Sequence, residues 1–438
     1  MKNRIALIRA AALSAVFAVA SFAASAMPLK FSVVNDRADL IYGVGDEASF
    51  TVTATDTNGN AAVRGTVEVC LDNFGPKKVL QKTVDLSEGN PFTVRGRLDE
   101  PGFLRMRLVA KGSEPFNWGV GYAPEKIRKG SPSPDDFDEF WRAARARLAR
   151  EVPLDAKMVR VPERCQRDFE FFRISFATFG RRVHGYMSVP TNKAKAPYPV
   201  EFSVFAAGFG NWTNDMSGSP DRIKVAFSVY PFEPDWKWKE LGLKARLYDA
   251  MNDACRAKWG TIYSQAGVAK SREDYFFYPV LLGIDRAVDW VAARDDVNRS
   301  RFCYAGTSQG GGFGFYLTGL NRAFTRAAFF VPAITDTMGY LKGRQSGWPS
   351  IIESQPEDKR AAAELNAPYF DGANFASRIR CPVRVAVGFS DTTCAPCAVY
   401  AAYNEIAVAD KSILHGFGMT HSCFGKFYEE LGRWLMEE

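Results

Sequence analysis

The stretch Arg301-Phe302-Cys303-Tyr304-Ala305-Gly306-Thr307-Ser308-Gln309-Gly310-Gly311-Gly312 decides how the rest of the chain is read. It runs from a short apolar strand through a glycine-rich turn into a helix-like segment, residues 313–320. Gly306-x-Ser308-x-Gly310 has the spacing of a nucleophile elbow, in which a serine sits strained at the tip of a sharp strand-to-helix turn between small neighbours. Such a turn lifts Oγ clear of the sheet. The helix behind it aims its N-terminal amides at the spot where an oxyanion would form. Gly and Ser are common turn residues, so the pattern needs its context.

That context is an alternation of strands and helices. Residues 170–176 and 182–189 partly alternate and predict antiparallel strands. Residues 200–206 and 225–229 predict two more strands, and the first ends in Ala207-Gly208-Phe209-Gly210. Residues 231–274 carry Trp236, Trp238 and Trp259 among many charges and read as an irregular insertion. Residues 281–293 have helical spacing, with Ile284, Ala287, Val288 and Val291. Strands follow at 326–331, 382–388 and 412–415. This order predicts an α/β fold with a mostly parallel sheet.

A nucleophilic serine needs a base, and the base needs an orienting acid. The chain has three histidines, His184, His415 and His421. His184 precedes the elbow and falls mid-strand, whereas an α/β-hydrolase runs Ser, acid, His. His415 ends the last strand and His421 lies on the loop beyond, where groups gather at the carboxyl ends of parallel strands. His421 is the expected base, with His415 as the other candidate. The acid is expected at Asp391, after an apolar strand and a Gly break, although an Asp there could simply cap the next helix. The oxyanion donors are expected to be the backbone N–H groups of Gln309 and Phe209. Trp212, Trp236 and Trp238 could stack on apolar sugar faces or could simply be core and lid packing.

Upstream, Ser133 is expected to cap a helix with Pro134 in its first position and Asp135 and Asp136 in its first turn. Phe137, Phe140, Trp141, Ala144 and Leu148 share one face of that helix, which runs to about Arg150. Residues 133–436 resemble the acetyl xylan esterase and cephalosporin-C deacetylase family. The resemblance is carried by Pro134-Asp135-Asp136-Phe137-Asp138-Glu139-Phe140-Trp141, by residues 306–312, by Tyr369-Phe370-Asp371 with Arg380-Cys381-Pro382-Val383, and by Asp391-Thr392-Thr393-Cys394-Ala395-Pro396. It implies an α/β-hydrolase fold with Ser308 as nucleophile, Asp391 as acid and a loop His as base. It also implies oxyanion amides on Gln309 and on the aromatic of Ala207-Gly208-Phe209. The chain departs from the family pattern in three places. Ala207 stands where a His is usual, Thr420-His421-Ser422 replaces Gly-His-Glu, and Cys397 stands where Ser is common.

From residue 27 to about 122 the pattern is short alternating strands with turns at Asn58-Gly59-Asn60 and Glu88-Gly89-Asn90. About seven strands predict an immunoglobulin-like β-sandwich, serving as a packing or carbohydrate-contacting module. A linker with Pro124, Gly130 and Pro132 places the boundary near 125. The expected division is therefore a leader over 1–26, the sandwich over 27–125 and the catalytic domain over 126–438.

The leader has basic Lys2, Arg4 and Arg9, an apolar run over 11–23 and Ala24-Ser25-Ala26 as a cleavage site. Met27 rather than Cys follows, so no lipid anchor is indicated, and export as a secreted or periplasmic protein is expected. The leader's cations supply three of the formal net charge of +7, and no basic cluster reads as a nucleic-acid footprint. No later segment is apolar enough to suggest a membrane partner.

Eight cysteines in 438 residues are too sparse for a disulfide scaffold. Cys394-Ala395-Pro396-Cys397 lacks a second ligand pair, and structural zinc takes four ligands, so neither metal nor cofactor is expected. The expected activity is removal of acetyl groups from acetylated xylan or xylo-oligosaccharides by a Ser-His-Asp esterase. A general or feruloyl carboxylesterase, an acylaminopeptidase-like enzyme and a carbohydrate-binding protein on an inactive scaffold are the alternatives.

Overall fold

The alternating pattern of the amino-terminal quarter becomes, in the computed structural model, eight strands. These are β1 (Lys30–Asn35), β2 (Ile41–Tyr42), β3 (Ala48–Thr55), β4 (Thr66–Asp72), β5 (Lys78–Asp85), β6 (Phe92–Gly96), β7 (Gly102–Ala110) and β8 (Phe116–Tyr122). The structure describes residues 28–208, 215–234 and 243–437. Period-two alternation buries Ala48, Phe50, Val52 and Ala54 on one face of β3, and Val67, Val69 and Leu71 on β4. The strands form two sheets, β1-β3-β6 and β2-β8-β7-β4-β5, antiparallel except where β2 meets β8. This is the expected immunoglobulin-like sandwich, with one short strand more than the sequence suggested.

Then come α1 (Phe137–Glu151), β9 (Lys157–Arg160), β10 (Phe169–Thr178), β11 (Arg181–Pro190), β12 (Tyr198–Val204) and β13 (Ile223–Ser228). They are followed by α2 (Leu243–Trp259), α3 (Phe277–Ala292), β14 (Val297–Thr307), α4 (Gln309–Leu320), β15 (Arg326–Phe330), α5 (Arg360–Asn366) and α6 (Gly372–Ala376). The chain closes with β16 (Val383–Gly388), α7 (Pro396–Glu405), β17 (Lys411–Gly416) and α8 (Gly425–Met436). The nine strands order as β17-β16-β15-β14-β12-β13-β11-β10-β9. Every pair from β13 to β17 is parallel, and the β11, β10 and β9 edge is antiparallel. This mostly parallel sheet is that of an α/β-hydrolase.

Two expectations change. Ser133 does not cap α1: the helix starts at Phe137, and the Ser133 hydroxyl donates to Asn374 Oδ1 instead. Asp135 and Asp136 form the turn before it, with Phe137 N–H on the Pro134 carbonyl. The apolar face is as read, with Phe137, Trp141, Ala144 and Leu148 buried. The supposedly irregular 231–274 segment contains the 17-residue helix α2. Among its described side chains, Tyr248, Met251, Asn252 and Cys255 turn inward, a narrow stripe broken by a polar residue and set among charges.

Strand order fixes where a site can form. β13 lies on one side of β12 and β14 on the other, so the connections diverge beyond the carboxyl ends of β12 and β14, the place where open α/β sheets bind their ligands. The elbow follows β14, and the loop with Ala207 and Gly208 follows β12.

Candidate active site

Ser308 links β14 to α4 with φ 55° and ψ −119°, a conformation strained for any side-chain-bearing residue. Its backbone is pinned on both sides: N–H donates to the Phe330 carbonyl at 2.9 Å, and its carbonyl accepts from Ala333 at 2.9 Å and Gly312 at 3.0 Å. Both flanking glycines are sterically required. A Cβ on Gly306 would lie 2.5 Å from the Gly310 carbonyl oxygen, and one on Gly310 would lie 2.0 Å from the Val204 oxygen.

The expected acid follows β16. Asp391 is fully buried, and its Oδ1 accepts the N–H groups of Thr393 at 2.8 Å and Cys394 at 2.9 Å. Those bonds aim Oδ2 at His421 Nδ1, 2.9 Å away. His421 Nε2 lies 3.0 Å from Ser308 Oγ. The loops carrying Asp391 and His421 are stitched together, since Phe389 N–H donates to the Gly416 carbonyl and Ser390 N–H to that of Met419, each at 3.0 Å. Both imidazole nitrogens are engaged. Such an imidazole can take a hydroxyl proton at Nε2 while Nδ1–H stays on the carboxylate.

The other histidines stand elsewhere. His184 is in β11 opposite Ser228, and burial pushes its pKa down to about 4. His415, at the end of β17, holds Tyr400 Oη at 2.6 Å and packs on Phe389, and burial lowers its pKa too.

Gln309 opens α4 and is fully buried. Its side chain ties the elbow to the loop after β12: Nε2 donates to the Phe205 carbonyl at 3.2 Å, and Oε1 accepts from Tyr263 Oη at 2.8 Å. Tyr230 Oη accepts Gly208 N–H at 2.9 Å, where Gly208 has φ +85°. Tyr230 and Tyr263 pack edge to face with ring centres 5.3 Å apart. Sequence reasoning missed these two tyrosines. Neither has a motif, and Tyr263 falls in the segment read as irregular. Phe209, Trp212, Trp236 and Trp238 lie outside the described residues.

Asp391, Cys394 and His421 present ligand-type atoms within 4.8 Å of one another, the one such group of three among the described residues. It consists of the hydrogen-bonded carboxylate and imidazole and a single thiol. Burial raises the Cys394 thiol well above its ordinary range and pushes that of Cys397 up to about 11. All eight cysteines are unbridged. Among the described residues no helix is long and apolar enough to cross a membrane.

Residues 125–438 match the family described as Acetyl xylan esterase (AXE1). The acetyl esterase Axe7A of Xylanibacter ruminicola is 26% identical over 397 residues, covering 87% of this chain and 84% of that protein. An acetyl xylan esterase from Paenibacillus sp. R4 superposes with a TM-score of 0.57 at 23% identity, covering 71% of this chain and 97% of its own. Acetyl xylan esterase 1 from Thermoanaerobacterium sp. JW/SL YS485 gives a TM-score of 0.57 at 19% identity, covering 71% and 96%. At those identities the two solved structures speak for the fold. The chain belongs to the acetyl xylan esterase family, and it is a carboxylic ester hydrolase of the carbohydrate esterase kind.

Proposed function

We propose that this protein is a secreted serine esterase that removes acetyl groups from acetylated xylan or xylo-oligosaccharides through an acyl-enzyme. The observation that carries the reading is the unbroken contact from Ser308 Oγ through His421 to the buried Asp391 carboxylate. His421 takes the hydroxyl proton as Oγ attacks the ester carbonyl. Asp391 stabilises the resulting imidazolium. The backbone N–H groups of Gln309 and Phe209 hold the oxyanion, and loss of one such donor costs about 3 kcal/mol. His421 then gives that proton to the sugar oxygen as its bond to the acyl carbon breaks, and the sugar leaves as the free hydroxyl. Water, deprotonated by the same imidazole, releases acetate.

The glycine-crowded elbow favours a short acyl group. The acetylated-carbohydrate substrate is inferred from the family and from the name of the Xylanibacter relative. Export rests on the basic and apolar pattern of residues 1–26. The division into a module over 27–125 and a catalytic domain over 126–438 is part of the same proposal.

The test is acetate release from defined acetylated xylo-oligosaccharides, set beside aryl esters of rising chain length, an acetylated hexose polymer and a peptide anilide. Preference for acetylated xylo-oligosaccharides, lost in Ser308→Ala, is expected. Turnover confined to long-chain or feruloyl esters would contradict the substrate assignment.

A further inference from the structure

The amino-terminal sandwich precedes the residues that match the family, yet it packs against the two loops that carry Asp391 and His421. Four contacts converge there. On β8, Gly119 faces the acid loop, where a Cβ would meet the Phe389 carbonyl oxygen at 1.9 Å. On β7, Phe103 packs edge to face on Phe389, with ring centres 5.0 Å apart and planes at 82°. Phe389 is two residues from Asp391, and its other neighbours are His415 and Phe417.

The third contact is at the base loop. β2 is two residues long and pairs only with Gly121 and Tyr122, so the earlier part of β8 is left as a sheet edge. Gly418, at φ +68°, lies there against the ring of Trp118, and a Cβ on it would come within 2.7 Å of Trp118 Cζ3. Trp118 is itself fixed, with Nε1–H on Asn35 Oδ1 at 2.8 Å and its ring stacked on Phe116.

The fourth contact comes through the loop after β4. Asp72 accepts from Arg105 Nε at 2.9 Å and Nη2 at 2.8 Å, and from Phe74 N–H at 3.0 Å. Phe74, thus held at φ 54°, offers its carbonyl to Gln345 N–H at 2.8 Å. The Gln345 side chain then donates to the carbonyl of Thr392 at 2.8 Å, beside the acid.

We infer that the amino-terminal sandwich is a positioning element for the esterase reaction. Phe103, Gly119, Trp118 and the Phe74 carbonyl set the separation of the Asp391 and His421 loops. The inference rests on the Ser308, His421 and Asp391 reading above and assigns the module a different duty from binding carbohydrate. A separate binding module would touch its neighbour through a linker and a polar interface. Here one continuous apolar core runs from β3, β4 and β7 into β16 and α7. The loops must be held tightly because a displacement of about 1 Å in a reacting group can cost about 100-fold in rate.

The test uses the full chain, a small aryl acetate and soluble acetylated xylan. Trp118→Ala frees the base loop, and Gly119→Ala pushes the Phe389 carbonyl. Each is expected to lower kcat on the aryl acetate by about 10- to 100-fold while KM stays within about twofold. Trp118→Phe keeps a ring against Gly418 and is expected to restore most of kcat. Should Gly119→Ala fail to fold, Trp118→Ala and its Phe counterpart decide alone, since that ring is only half-buried. Wild-type kcat in Trp118→Ala, or a loss confined to KM on the polymer, would overturn the inference. Ser308→Ala separates the two claims: full activity there sinks the serine mechanism, whereas an inactive Ser308→Ala beside a fully active Trp118→Ala sinks only the module's role.

Discussion

Asp391 Oδ2 lies 2.9 Å from His421 Nδ1, and the same carboxylate is held from behind by the amides of Thr393 and Cys394. The carboxylate therefore selects the tautomer with the proton on Nδ1. An amide at this position can present N–H instead of oxygen and favour the wrong tautomer. Asp391→Asn is expected to lower kcat on an aryl acetate by about 10⁴-fold with little change in KM. Steady-state kinetics check this, and a loss under tenfold would contradict the orienting role.

The elbow leaves no room for a methyl group at Gly310, 2.0 Å from the Val204 oxygen. Gly310→Ala must move either α4 or the end of β12. It is expected to destabilise the fold by about 1–3 kcal/mol in chemical denaturation and to abolish measurable turnover. An active protein of wild-type stability would show that the turn is looser than its contacts imply.

Tyr263 Oη is the donor to the buried Gln309 Oε1. Tyr263→Phe leaves that acceptor without its partner and loosens the tie between the elbow and the loop after β12. A stability loss of about 1–3 kcal/mol is expected. Thermal and denaturant unfolding measure it, and an accompanying fall in kcat would report disturbance of the amide at Gln309. Unchanged stability would mean that the hydrogen bond is replaced by another partner.

Burial lowers the pKa of His184 to about 4 from an ordinary value of 6.5; the charge of Glu233 opposes the shift, and those of Arg182 and Arg181 add to it. Burial lowers that of His415 as well. Each ring is neutral in the folded protein and takes a proton more readily when unfolded. The contribution of His184 is fully present above about pH 6.5 and is lost as pH falls toward about 4, and that of His415 is lost in the same direction. His184→Gln is expected to flatten the fall of unfolding free energy over that range. Identical slopes in the variant and the wild type would contradict the assignment.

Much of this was legible in the sequence where the physics is local. Parallel strands buried on both faces give apolar runs, so β14, β15 and β16 stand out, and the loops at their carboxyl ends carry Ser308 and Asp391. His421 is expected as the base because it lies beyond the last strand, and His415 holds Tyr400. What escaped notice depends on contacts between distant positions. Nothing near Gly119 or Trp118 announces that they press on residues 389 and 418. The helix α2 gives little periodic signal because few of its described side chains are buried, and the hydroxyl of Ser133 is taken up by Asn374 rather than by a helix start.

The central claim is that Ser308 Oγ is the nucleophile made reactive by His421. It is tested most directly by reaction with a fluorophosphonate probe followed by mass spectrometry of the labelled peptide. A single adduct on Ser308, absent in Ser308→Ala and strongly slowed in His421→Ala, is the predicted result. No adduct on the active enzyme, or an adduct on another residue that tracks the loss of esterase activity, would contradict it.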